Sequence, residues 1–511
     1  MRWGISGTLA GSLLLGLSAC GGGGDSTTAA TTATETAAAT TLVSQGAVSG
    51  FGSVYVNGVK LDDSGASSLA YAADGSTSAH ALRLGQQVRV EHDASGKASR
   101  VLVDAAVIGS VSSVNATAGT LVVAAQTVKI NTDSAAGPVT VFAGGYTALA
   151  DVLAADLVEV HGTPVYNSTT AKYEVQATRI EKRTAVAEVR VTGKLSALDA
   201  TAKTFSLNGL SVAYGTATLR PASAVLANDQ NVIVWSKTYT SGTALTASGV
   251  RVVNTTTDLP ATTQARLSGV ASNVTSTGFE VAGVKVTTQT STTVTPAGAS
   301  VANAAYVGVT GVVQTDGSVL ASAIQVRQSD TTDDSARIRL SGPITGYTSA
   351  TSFVVRGVPV DASAITLATA CPGVTLADGV NVNVVAKAQA GTDVVLASGM
   401  TCPASAASFR DVRGTPSVVD TTAKTFTLTT ASGAVQKVQW SDTTAWGGTL
   451  TSATLAATTT VAAEGYLDSA GVLQAKELRV PGTRDSDVYT STSQSSSTTG
   501  WGRYSQFRKG H

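Results

Sequence analysis

Short apolar triplets separated by two-residue turns recur along this chain. Val54-Tyr55-Val56 meets Val59-Lys60-Leu61 across Asn57-Gly58, and Phe205-Ser206-Leu207 meets Leu210-Ser211-Val212 across Asn208-Gly209. The same hairpin reads Phe279-Glu280-Val281, Ala282-Gly283, Val284-Lys285-Val286, and again Phe353-Val354-Val355, Arg356-Gly357, Val358-Pro359-Val360. Glycine supplies a positive φ, and a two-residue loop fixes the register. The outer positions of nearly every triplet are apolar, which predicts one buried face. Leu121-Val122-Val123 and Phe426-Thr427-Leu428 keep the strand, and their turns read as longer.

A strand carrying a glycine precedes the hairpins: Val191-Thr192-Gly193, Leu267-Ser268-Gly269, Leu340-Ser341-Gly342 and Val412-Arg413-Gly414. Glycine at one strand position predicts a bulge or a tight barrel corner. A Ser/Thr/Ala loop follows each hairpin, then strands such as Val88-Arg89-Val90, Val232-Ile233-Val234 and Ala323-Ile324-Gln325-Val326. The fold class is all-β. Five short strands with a bent first strand fit a small barrel of the OB type, and a small β-sandwich is the alternative. Six tandem units follow, at 44–105, 106–183, 188–254, 264–328, 336–402 and 410–481, with a disordered tail at 482–511. Stacked end to end they predict an elongated array on the order of 150 Å. A separate core for each unit would be marginal at this size.

The N-terminus supplies an address. Arg2 precedes a short apolar stretch at 9–17, which ends in Leu17-Ser18-Ala19-Cys20. That tetrad resembles the bacterial lipobox, which implies cleavage between Ala19 and Cys20 and a diacylglycerol on the Cys20 thiol. Residues 1–20 are then a lipoprotein signal peptide, and 21–43 a disordered Gly/Ser/Thr/Ala tether. Gly21 after the cysteine, with no aspartate there, points to the outer membrane. The membrane is thus the first expected partner, and whether the domains face the periplasm or the outside stays open.

Charge narrows the function. Charged residues are 13% of the chain and the net charge is zero, so the basic face of a nucleic-acid binder is missing. Cys371 and Cys402, each before a proline, are the cysteines left after Cys20, and an exported chain predicts a disulfide between them.

Gly50-Phe51-Gly52-Ser53-Val54-Tyr55-Val56-Asn57-Gly58-Val59, followed by Asp62, resembles the opening of the bacterial domain of unknown function 5666. The likeness is sharpest in the first repeat and patterned through the others. That family has no established activity to carry over, so the resemblance implies export and tandem β-domains.

Candidate chemistry is thin. Gly50-Phe51-Gly52 leads into a strand, not a helix, so it fails as a phosphate loop. His80, Glu91, His92 and Asp93 form the densest set of metal-ligand types. Glu91, His92 and Asp93 end a strand before Ala94-Ser95-Gly96, and a solvated strand end is the expectation, with no metal. Asp330, Asp333 and Asp334 read as a solvated linker, as do Asp62, Asp63 and Asp74 within the first repeat. Tyr55, Phe205, Phe279 and Phe353 share the second strand and read as core rather than as a stacking platform. Trp501, Tyr504 and Phe507 sit among Arg503, Arg508 and Lys509 in a polar tail. No nucleophile–base set stands out on any repeat, and no cofactor is implied. The expected role is a non-catalytic binding or structural module of the cell envelope, taking an envelope protein or a glycan. The alternatives are a periplasmic scaffold for envelope proteins and, further off, an envelope hydrolase.

Overall fold

The computed structural model describes residues 41–480, apart from 57, 73, 75, 187, 238, 240–243, 254–260, 328–336, 390–391, 404–408, 431–432 and 448–449. Strands dominate, and they close a circuit that is plainest in the fourth repeat. Its first strand, Gln264–Ser272, pairs antiparallel with Gly278–Val281, which turns into Val284–Thr287. That third strand runs parallel to the last, Val319–Val326, which pairs antiparallel with Tyr306–Val313. Tyr306–Val313 returns to the first strand. The order is thus 1-2-3-5-4-1, a small closed barrel of OB type and not two facing sheets. A short strand, Thr293–Thr295, extends the parallel seam.

The circuit recurs through Val107–Asn115, Thr120–Val123, Gln126–Ile130, Leu157–Asn167 and Lys172–Arg183. It recurs again from Phe409–Asp420 to Leu473–Arg479. In the third repeat the last strand is split into Leu245–Thr246 and Gly249–Val252. In the first and fifth repeats single bridges, Asp62 to Lys97 and Ile344 to Val355, complete the ring.

Local sequence accounts for these elements. Both turn residues have positive φ at Asn208-Gly209, Ala282-Gly283 and Arg356-Gly357, the type I′ turn that matches strand twist. Repeat 2 departs from expectation. Val123 pairs directly with Gln126, and Ala124 and Ala125 both take positive φ, so its turn is a two-residue turn without glycine. The expected corner glycines stand where the first strand leaves the fourth for the second: Gly193 pairs with Val232, and Leu195 with Leu207.

The repeats do not follow one another as an end-to-end array, and the first strands show why. Within a barrel, the second strand pairs with the far half of the first. The near half keeps an unpaired edge, which must find a partner. Repeat 1 begins before the expected boundary, since Leu42 and Val43, placed in the tether by sequence, open its first strand; Leu42 to Gln45 pair in parallel with Gln264 to Leu267 of repeat 4. Gly50 and Phe51 pair in parallel with Arg339 and Leu340 of repeat 5. Val107 and Ile108 of repeat 2 pair with Val191 and Arg190 of repeat 3. The apolar cores merge accordingly: repeats 2 and 3 share one, repeats 1 and 5 share another, and Val43 of repeat 1 enters the core of repeat 4. Repeat 6 keeps its own.

Candidate functional site

The residues singled out in the first repeat do not converge. His92 donates from Nδ1 to the Asp93 carbonyl at 2.8 Å, which leaves Nε2 to accept from the Ser44 hydroxyl at 2.9 Å in the neutral ring. Glu91 accepts from Arg100 at 2.6 Å. Asp93 accepts from the Ser95 hydroxyl and from the Ser95 and Lys97 amides, and these bonds hold its carboxyl below the usual range. His80 faces Gln86 instead, at 2.9 Å. Asp62 and Asp74 close turns onto Ser64 and Ser76, whereas Asp63 is buried and accepts from the Tyr466 hydroxyl of repeat 6 at 2.8 Å. Asp63 is therefore an inter-repeat contact and not a solvated carboxylate.

Phe205, Phe279 and Phe353 are core residues, 2%, 4% and 1% exposed, and Phe426 joins them. Tyr55 does not belong with them. It occupies the middle of Val54–Val56, while Val54 and Val56 point inward, so period-two alternation turns Tyr55 outward. Gly50 and Gly52 have a packing role: a Cβ on either would run into the Arg339 carbonyl or the Ser341 side chain of repeat 5. Cys371 and Cys402 form a disulfide, with Cα atoms 5.1 Å apart. Closing that loop is worth about 3–4 kcal/mol in the chain-entropy model. Ala19, Cys20, Asp330, Asp333, Asp334 and the aromatic residues after 482 lie outside the described residues.

Buried charge gathers where repeats 1, 2 and 6 meet. Arg83 of repeat 1 reaches Glu477 of repeat 6 at 3.0 Å, and both are nearly buried. Lys476 donates to the Ala66 carbonyl across the same boundary, and burial lowers its pKa. Towards repeat 2, Thr178 donates to the Gly85 carbonyl at 2.6 Å and Arg179 to the Leu84 carbonyl at 3.1 Å. Behind them, His161, fully buried, donates from Nε2 to Glu159 at 2.9 Å. Arg179 and Arg183 both pair with Glu181. Desolvation pushes the Glu159 pKa up, but the hydrogen bond and charge of His161, aided by Arg183 and His80, prevail and hold it well below normal. Each of these carboxylates already faces a cation. Buried charges are tolerable only when paired in this way, and the arrangement joins repeats rather than opening onto a substrate.

A recurrent loop residue also escaped the sequence reading. Asn228, Asn303 and Asp378 each precede the fourth strand and accept an amide from the end of the first: Leu198, Val274 and Tyr347, at 3.0, 3.1 and 2.8 Å. The signal was a polar residue at a fixed offset in loops that looked merely variable.

Two segments, 268–325 and 417–479, match the family model of a domain of unknown function (DUF5666). Those two stretches of the chain are similar to the DUF5666 domain. The DUF5666 matches cover most of the fourth and sixth barrels, while the Gly50-to-Val59 opening lies outside them. No curated protein matches the chain.

Proposed function

We propose that this chain is a lipid-anchored protein of the bacterial outer membrane, serving the envelope as a non-catalytic binding or structural module. The observation that carries this reading is where the ionisable side chains go. Glu159, Glu181, Glu464 and Glu477 are spent on Arg and His partners inside and between barrels. The connecting loops at the surface are mostly Ser, Thr and Ala. A hydrolase needs a carboxylate pair or a nucleophile and base facing a cleft, and these carboxylates are committed elsewhere. Among the described residues no helix is long and apolar enough to cross a membrane, and the anchor in this reading is lipid on Cys20.

The test is fractionation of cells labelled with radioactive palmitate. The wild-type chain is expected to carry label and to sediment with the outer membrane. Cys20→Ala is expected to lose both. An unlabelled wild-type chain, or a Cys20→Ala chain still in the outer membrane, would overturn the anchor. Protease shaving of intact cells, with a tag after Lys509, then separates a surface module from a periplasmic scaffold.

A further inference from the structure

We propose that an open cleft between repeats 1 and 6 binds a neutral glycan chain, with Trp446 as its stacking platform. The proposal deepens the binding reading above and rests on it. The cleft has a volume of about 440 Å³, within the range of small-molecule sites. One wall is the short strand Thr77–Ala79 of repeat 1, and the other belongs to repeat 6.

Trp446 is the middle residue of Ala445–Gly447. Its two neighbours are buried and it is only half-buried. Its ring meets Trp440 edge-on, with centroids 6.0 Å apart, and Trp440 packs on Phe426 in the barrel core at 5.9 Å. The indole lining the cleft is therefore fixed from behind, which cuts the entropy lost when a ligand stacks on it. A pyranose ring offers an apolar C–H face to such a surface, while its hydroxyls need both donors and acceptors around the edge. The rim supplies both. Lys424 and Asp442 pair at 2.5 Å, with Asp442 91% exposed, and Ser78, Ser441 and Ser452 bring hydroxyls. The ion pair is neutral as a unit, so the rim favours an uncharged sugar over an anionic one. The cleft opens to solvent, so sugars beyond the stacked one can extend out of it.

The experiment titrates the purified chain with maltohexaose, cellohexaose and chitohexaose, following tryptophan fluorescence and calorimetry. At least one hexasaccharide is expected to bind. Trp446→Ala should weaken it on the order of tenfold, as loss of a tryptophan anchor does, and Trp446→Tyr should restore most of it. Lys424→Ala, at the exposed rim, tests the polar contacts with little risk to folding. Binding by none of the three, or binding by Trp446→Ala as tight as by the wild-type chain, overturns the site while leaving the fractionation result untouched. Chromatography of the mixtures provides the separate control: shortened hexasaccharides would overturn the non-catalytic reading and keep the site.

Discussion

At the scale of single residues, the informative groups are those whose local context misleads. His80 looked like one of four clustered ligands, yet it packs against Gln86 near Glu159, His161, Arg83 and Glu181. Burial lowers its pKa below the ordinary 6.5. As pH falls, the unfolded chain takes up this proton before the folded one does. Stability from His80 is complete above pH 6.5 and is lost as pH falls through the depressed folded value. Glu159 is also depressed, so its contribution is present above its unfolded value of 4.5 and is lost only below it. Urea midpoints should thus decline in two stages, the first beginning near pH 6.5. His80→Gln should erase the first stage and keep the second; an identical profile in both proteins would show that His80 does not couple to folding. The sequence displays such a histidine but not its surroundings, because Glu159, His161 and Glu181 arrive from another repeat. The Asn228, Asn303 and Asp378 staple, by contrast, recurs three residues before its strand but went unread, because its loops looked merely variable.

At the scale of elements, turn chemistry and alternation carried most of the information. Asn208-Gly209, Ala282-Gly283 and Arg356-Gly357 marked their hairpins because few residues tolerate positive φ. Ala124-Ala125 hid the same turn because alanine carries no such mark. The fourth strand held a further signal in its glycines. The register slips beside Gly162, Gly311 and Gly465, where the facing last strand carries an extra residue (Thr178, Ser322 or Lys476) and bends around the barrel. A Cβ at Gly311 would collide with the Leu320 carbonyl oxygen, whereas one at Gly308 in the same strand meets nothing within 4 Å. Gly311→Ala should cost roughly 1–3 kcal/mol, the usual penalty of overpacking. Gly308→Ala should change stability by only about 0.5 kcal/mol, since it adds no clash and mainly alters the unfolded chain. Equal denaturation midpoints for the two variants would mean that the bulge relaxes freely.

At the scale of the whole molecule, repeats distant in sequence are held by a few buried contacts. Arg83 and Glu477 lie 394 positions apart, and Tyr466 reaches back to Asp63. Arg83→Ala leaves the Glu477 carboxylate buried without that partner and should destabilise the joint by about 3–5 kcal/mol. Arg83→Met with Glu477→Leu should recover most of that loss, because replacing both charges removes the desolvation penalty. Amide exchange in Val461–Leu467 and Leu473–Arg479 is the readout. Unchanged protection in Arg83→Ala would show that repeat 6 is held by other contacts.

What the sequence determined by itself is the barrel. Apolar alternation, two-residue turns and corner glycines act over a few residues, and each leaves a mark in the residues that make it. The tertiary structure alone decided which repeats join. Pairing such as Leu42 to Gln45 with Gln264 to Leu267 satisfies backbone amides and carbonyls, which every residue but proline carries alike. A free half-edge therefore has no signature in the sequence, and its partner is chosen by the side chains that surround it once the barrels have formed.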